Sequence, residues 1–191
     1  MRKTLVTCFV IFMAAGSLHA QSADGAAIDH ATMDHSAHMK MMAQAKRQAE
    51  VSERGKEVMP FKLEATTHIF SKQSDGGIQH VVAKSSKDTA QVRLVRQHLQ
   101  QIQEEFLKGD FSGPTRIHGQ SMPGLAQLQS DKSGQIIIKY KNVEGGGELT
   151  YKTIEPSLVI ALHAWFDAQL SDHGKDAMPG QGQQDRMKRP W

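Results

Sequence analysis

Histidine and methionine are concentrated in one short stretch of the chain, from Asp29 to Met42, which reads DHATMDHSAHMKMM. Imidazole and thioether are neutral ligands that suit copper, and thioether sulfur favours the soft Cu(I) ion. We therefore predict a copper site here, in which the histidines hold Cu(II) and the methionines hold Cu(I). Silver, as Ag(I), is a second ion that this stretch could take. The candidate ligands are His30, Met33, His35, His38, Met39, Met41 and Met42.

A packing helix is the alternative interpretation of the same stretch. Four of the candidate ligands are spaced i, i+3, i+4 and i+7, namely His35, His38, Met39 and Met42. A helix would place them on one face, where they could pack on a neighbouring domain. Two observations favour metal binding. Asp34 and Ser36 interrupt the pattern, and Leu, Ile, Val and Phe are absent from residues 32–42. A packing helix would use those four residue types.

Further candidate ligands lie in the region that resembles a globular domain. The segment RIHGQSMPGL places His118 and Met122 on a predicted loop rich in Gly and Pro, where binding residues often lie. A plain turn explains that segment equally well. His163 falls on the apolar face of a predicted helix, where a hydrogen-bonded core histidine is the commoner explanation. His163 and His173 become ligands only if the fold brings them close to His118.

Two other pairs of histidines could also act together. His68 and His80 flank one predicted turn, so they could face each other across a hairpin and share an ion. Exposed strand histidines that bind nothing are commoner. His98 and His163 lie on two predicted helices and could in principle be axial haem ligands. No C-x-x-C-H motif is present to support a haem.

The N-terminus predicts export. Residues 1–20 combine Arg2 and Lys3, an apolar run, and the small-residue sequence Leu-His-Ala, so we expect a cleavable signal peptide cut after Ala20 and a periplasmic or secreted protein. The only cysteine, Cys8, would be lost with it, which leaves no disulfide and no thiolate ligand. The apolar run is too short to span a bilayer comfortably, and we expect no membrane insertion.

Charge and motifs argue against several function classes. The formal net charge is +3, and removing Arg2 and Lys3 leaves about +1, with no basic stripe interleaved with aromatic residues, so a nucleic-acid partner is not expected. No cysteine nucleophile, G-x-S-x-G, H-E-x-x-H or phosphate loop occurs in the mature chain, so we predict that the protein is not an enzyme.

Alternation and turn residues predict an α+β fold. Strands are expected at 61–70 and 78–83 around a turn, and again at 135–140 and 148–153, and each pair precedes a helix. We expect two β-hairpin-plus-helix units (ββα-ββα) that form one antiparallel sheet covered by two helices, with a loop at 109–130. The predicted organisation is a signal peptide (1–20), a flexible His/Met arm with a helix-prone tether (21–60), an α+β domain (61–174) and a disordered tail (175–191).

The stretch MDHSAHMKMM resembles the Met/His repeats of bacterial periplasmic copper-resistance proteins. The segments GGIQHVVAK, RIHGQSMPGL and ALHAWFDAQLSDHG are similar to small exported proteins found with copper- and heavy-metal-resistance systems. Some of those proteins carry aspartate carbamoyltransferase names, but this chain is too short for the two domains of that enzyme and has no S-T-R-T segment. The resemblance implies a role in metal homeostasis.

Together these observations predict a copper-binding accessory protein that captures, buffers or hands over copper. Its partners would be the metal ion and a copper efflux or oxidase component. The alternative is a non-enzymatic protein-interaction module of the cell envelope in which the His/Met stretch is incidental.

Overall fold

The computed structural model describes residues 35–130 and 134–180. The predicted signal peptide and two of the predicted metal ligands, His30 and Met33, lie outside these residues.

The described chain is α+β, as predicted, with one five-stranded sheet in the order β3-β4-β2-β1-β5. The neighbours among β1 to β4 are antiparallel, whereas β5 pairs with β1 in parallel, so the expectation of a wholly antiparallel sheet is wrong. The extra strand comes from the segment predicted as a disordered tail. The strands are β1 (Thr66–Gln73), β2 (Gly76–Ala83), β3 (Ile137–Val143), β4 (Gly146–Lys152) and β5 (Ala177–Pro179).

Two β-hairpins, each followed by a helix, form the centre of the fold. The first hairpin leads into α2 and the second into α5, and β2 pairs with β4, which joins the hairpins into one sheet. The hairpins come close together at Gly76, where a Cβ atom would collide with the backbone of Tyr151. The helices are α1 (His35–Val58), α2 (Thr89–Leu107), α3 (Ser112–His118), α4 (Leu125–Gln129) and α5 (Pro156–His173).

The segment predicted as a loop, 109–130, contains the short helices α3 and α4. Gly113 and Pro114 lie within α3, whereas Gly119 and Gly124 both have positive φ and separate the two helices. On either side of those two glycines, Ile117 in α3 and Leu125 in α4 are buried in the core. Each apolar run is too short to show a helical period, which is why the sequence pattern indicated a loop.

The hydrophobic core lies between one face of the sheet and helices α2 and α5. The apolar face of α2, which carries Val95, Leu99 and Ile102, is buried. Asp88 caps that helix by accepting a hydrogen bond from the backbone N–H of Gln91. Helix α5 is apolar around much of its circumference because it contacts the sheet, α1 and α4. Within residues 35–130 and 134–180, no helix is long and apolar enough to cross a membrane.

Helix α1 joins the predicted arm and tether in one 24-residue helix, and the part from Gln44 onward packs on the domain. Val51 is fully buried, and Arg54 donates to the carbonyl oxygen of Ile117 at 2.7 Å. Gln44 and Gln48 both donate to the carbonyl oxygen of Ser171, in the last turn of α5. The folded unit therefore includes residues predicted as a tether, and the part of the arm within α1 is helical.

Candidate metal-binding sites

The first candidate site is the α1 stripe, which we define as His35, His38, Met39 and Met42. All four side chains are exposed, Met39 by 55% and Met42 by 58%, and their spacing places them on one face of the helix. Gln48, on the packed face, lies nine residues after Met39, which is about half a helical turn out of phase at roughly 100° per residue. The stripe therefore faces away from the domain. Within the described residues, it does not pack on a neighbouring part of the chain.

The second set of ligand types lies in the interior and was not recognised as a group from the sequence. Five side chains with possible ligand atoms, four of them from four different elements, are among those that line one pocket of about 40 Å³, which we call the His pocket. A space of that size holds about three water molecules. The five are Met59 just after α1, His68 on β1, His98 on α2, His118 at the end of α3 and His173 at the end of α5.

His118 is held by a buried carboxylate. Its Nδ1 lies 2.8 Å from Oδ2 of Asp172, and Asp172 also accepts two hydrogen bonds from Arg47, at 2.9 and 2.7 Å. Nδ1–H must be the donor, because an ionised carboxylate only accepts. Nε2 of His118 then carries the free lone pair. This is the carboxylate–histidine arrangement that orients imidazole ligands in metal sites.

Arg47 explains why α1 matters to this arrangement. Its Nη2 also donates to the carbonyl oxygen of His118 at 2.7 Å, so one guanidinium holds both the backbone and, through Asp172, the ring of His118. The last carbonyls of a helix have no partner within the helix. Side chains of α1 satisfy such carbonyls on α3 and α5, the two helices that end in His118 and His173.

His173 presents its other ring nitrogen. Nε2 lies 3.0 Å from Oε1 of Gln169, so Nε2–H donates and Nδ1 carries the lone pair. That Nδ1 is buried and has no hydrogen-bond partner. The ring of His173 stacks on His68 at a centroid distance of 4.7 Å and meets His118 edge-on at 5.1 Å. Three imidazoles are therefore in direct contact.

Unpartnered buried nitrogens are concentrated in this pocket. In the part of the chain that the structure describes, four buried side-chain nitrogens have no hydrogen-bond partner, and all belong to residues that line the pocket. Burying such a group without a partner costs about 1–3 kcal/mol, so each one calls for an explanation. The four atoms are Nδ1 and Nε2 of His68, Nδ1 of His173 and Nε1 of Trp165.

Burial keeps these imidazoles neutral. It lowers the pKa of His68 to about 3 and that of His98 to about 4. Burial also lowers the pKa of His173 well below its ordinary value, with smaller contributions from His68 and His118. For Asp172, burial alone would raise the pKa, but hydrogen bonds from His118 and Arg47 outweigh that effect and hold the pKa at about 2. The pocket therefore contains three imidazoles that burial keeps neutral, His68, His98 and His173, and the ionised carboxylate of Asp172 lies behind the ring of His118.

Of the predicted domain ligands, the pocket brings together only His118 and His173. Met122 is buried but lines a different part of the core. His163 has the structural role that the sequence favoured: its Nε2 lies 3.0 and 2.9 Å from the carbonyl oxygens of Gln73 and Gly76, at the turn of the first hairpin. His98 and His163 consequently do not face a common space, as a haem would need.

His68 and His80, which the sequence offered as a pair that could share an ion, do not face each other across the hairpin. In the hairpin register, His68 faces Val81 and His80 faces Ile69, so a shift of one residue puts the two histidines on opposite faces of the sheet. His80 instead pairs with Glu148 on the outer face at 2.6 Å. The sequence does indicate that His68 is buried, because this residue lies two positions before Phe70 on one strand and must share the inward face of Phe70.

No three His, Asp or Glu side chains within residues 35–130 and 134–180 already enclose a point where a metal ion could sit. An ion in the His pocket would therefore need a thioether ligand or few protein ligands. No protein-family model matches the chain, and no curated protein or solved structure is significantly similar to it.

Proposed function

We propose that this protein is a copper-binding accessory protein of the bacterial periplasm, which captures, buffers or hands over copper, and that the His pocket holds the ion. The observation that carries the proposal is the set of unpartnered imidazole nitrogens in a buried pocket that a thioether also lines. Neutral imidazole and thioether are both copper ligands, and no thiolate is available in the mature chain to compete with them.

The surroundings of His118 support the proposal. The carboxylate of Asp172 fixes the ring so that Nε2 is left for a ligand, and Arg47 fixes the carboxylate in turn. A positive ion at Nε2 would make the imidazole a stronger donor to Asp172, so binding and orientation reinforce each other. A purely structural ion pair would not require two further histidines with free nitrogens beside it.

The α1 stripe supplies a second part of the proposed function, which is capture. Exposed His and Met side chains can take an ion from solvent or from a partner without any change in the domain. The stripe and Arg47 belong to one helix, and about 7.5 Å of helix separates Met42 from Arg47 at 1.5 Å per residue. Copper captured at the stripe would thus be concentrated near the domain that holds the pocket.

A copper titration with two matched variants tests the proposal. In the arm variant, each predicted ligand from His30 to Met42 is replaced, His by Asn and Met by Leu. In the pocket variant, His118 and His173 are both replaced by Gln. Binding of Cu(I) and Cu(II) is measured with competing chelators for the mature chain and for both variants. We expect the arm variant to keep one tight site and the pocket variant to lose it, by at least 100-fold in affinity.

The control for the pocket variant is His163→Gln with His80→Gln, which removes two histidines that already have protein partners. This control should bind copper as the unaltered chain does. If the pocket variant and its control bind alike, the pocket is not the site.

A protein-interaction module remains the second candidate because of one exposed apolar surface. Ile154 and Ile160 are 93% and 69% exposed, and both lie beside Pro156 at the start of α5. Exposed apolar patches of this kind mark interaction sites. Absence of copper binding by every form of the chain, with loss of a cellular partner on Ile154→Lys, would favour this candidate.

A further inference from the structure

We infer that the His pocket selects the monovalent soft ions Cu(I) and Ag(I) over Cu(II) and Zn(II), with sulfur of Met59, Nε2 of His118 and Nδ1 of His173 as its ligands. The inference rests on the proposed function, since it defines which ions the same pocket takes. Met59 is the new element, because nothing in the spacing of the sequence marks it as a ligand.

The two ligating nitrogens are assigned from the hydrogen bond that the other nitrogen of each ring makes. Asp172 accepts a hydrogen bond from Nδ1–H of His118, and Gln169 accepts one from Nε2–H of His173. Each ring is left with one lone pair, and the rings meet edge-on at 5.1 Å. His68, stacked on His173, would then support the ring of His173 rather than bind in its plane.

Met59 is placed in the pocket by a glycine in α1. The side chain is only 6% exposed and lines the pocket with both histidines. Its terminal methyl lies where a Cβ atom at residue 55 would be, at 2.5 Å, so only glycine there leaves room for it. Glycine within a helix is less favourable than alanine, so its presence in α1 calls for a structural reason. Gly55 is therefore a positioning residue for the thioether.

The charge of the pocket favours a monovalent ion. None of the described residues that line it is Asp or Glu, and the carboxylate behind His118, Asp172, is already shared by Arg47 and His118. The cost of burying an ion grows with the square of its charge, so a divalent ion without a compensating carboxylate is penalised far more than Cu(I) or Ag(I). Much of the remaining lining is apolar, namely Phe61, Leu99, Ile102, Phe106 and Trp165.

The number of ligands points the same way. Zinc in structural sites is almost always held by four ligands, and no three His, Asp or Glu side chains of the described chain converge here. Cu(I) and Ag(I) are satisfied by two or three ligands, and a soft sulfur favours them. One thioether and two imidazoles match that requirement.

Competition titrations on the arm variant of the full mature chain test this selectivity, because only the interior site remains. Cu(I), under anaerobic conditions, and Ag(I) should bind at least 100-fold more tightly than Cu(II) and Zn(II). Met59→Leu conserves volume and should reduce Cu(I) and Ag(I) affinity at least 10-fold while leaving Zn(II) unchanged. The matched control is Met122→Leu, which alters a buried methionine outside the pocket lining. It should bind every ion as the parent does.

The outcomes separate the two proposals. Binding of all four ions with similar affinity, or equal effects of Met59→Leu and Met122→Leu, would overturn the inference while leaving copper binding in place. Absence of binding by every ion would overturn the proposed function itself. Gly55→Ala provides a second variant, which should reduce Cu(I) affinity by displacing the thioether without removing it.

Discussion

The α1 stripe and the His pocket contain the same two ligand types in opposite environments. The stripe is a run of exposed side chains on two turns of one helix. The pocket instead combines buried side chains from four elements with Met59, which follows α1. Exposed ligand side chains cost little free energy when no ion is bound, because water solvates them. Buried imidazoles without partners are costly, so their presence is the stronger indication of a ligand.

Acidification should separate the two regions most strongly. Burial lowers the pKa of His68 to about 3 and that of His98 to about 4, so on acidification the unfolded chain takes up protons first. The part of the stability that depends on keeping these two histidines neutral is therefore fully present above about pH 6.5 and is lost as the pH falls toward 3. At pH 4, His68 alone should lower the free energy of unfolding by roughly 3 kcal/mol, as measured by urea denaturation at several pH values.

Two variants assign that loss to the pocket. His68→Leu should flatten the dependence on pH, whereas His35→Leu, in the stripe, should leave it unchanged. An equally steep loss of stability in both variants would mean that His68 is not the group that titrates.

Asp172→Asn should give the next largest effect. It removes the charge that Arg47 and His118 share, and we expect the free energy of unfolding to fall by about 2 kcal/mol. Copper affinity should fall 10- to 100-fold, as for other groups that orient a ligand. Asp167→Asn on the same helix is the control: this carboxylate is 59% exposed and pairs with Lys72, so its loss should cost less than about 0.5 kcal/mol. Similar effects of the two substitutions would contradict the role given to Asp172.

The two halves of α1 sharpen the comparison within one helix. Val51→Ala removes a fully buried side chain and should lower the free energy of unfolding by about 1–2 kcal/mol. Met42→Ala, in the stripe, should change it by less than about 0.5 kcal/mol. Thermal unfolding of both variants without metal measures the difference, and a large effect of Met42→Ala would mean that the stripe packs on something.

The sequence predicted those parts of the fold that local pattern determines. Both hairpins follow from alternation and Gly-rich turns, and α2 follows from its apolar spacing and from the cap at Asp88. The packing of α1 could not be predicted, because one buried valine and several polar contacts to helix ends hold it. The strand β5 escaped prediction because three residues carry no period, and its pairing with β1 arises only in the folded chain.

The same distinction applies to the candidate sites. The stripe could be predicted because its ligands are close in sequence, and density is visible without a fold. The pocket could not, because Met59 and His68 lie far in sequence from His118 and His173, and only the sheet register and the ends of α3 and α5 bring them together. His118 and His173 were recognised by residue type, but nothing in the sequence indicated that Asp172, beside His173, would bond to His118.

The most direct test of the His pocket is nitrogen NMR of the histidine rings, in the chain that begins at Gln21, during titration with Ag(I), which is diamagnetic. If the His pocket is a metal site, the first equivalent of Ag(I) should shift the nitrogen resonances of Nε2 of His118 and Nδ1 of His173. The rings of His35 and His38 should respond only to further equivalents. A first equivalent that shifts His35 and His38 alone, with His118 and His173 unchanged after excess Ag(I), would contradict an interior metal site.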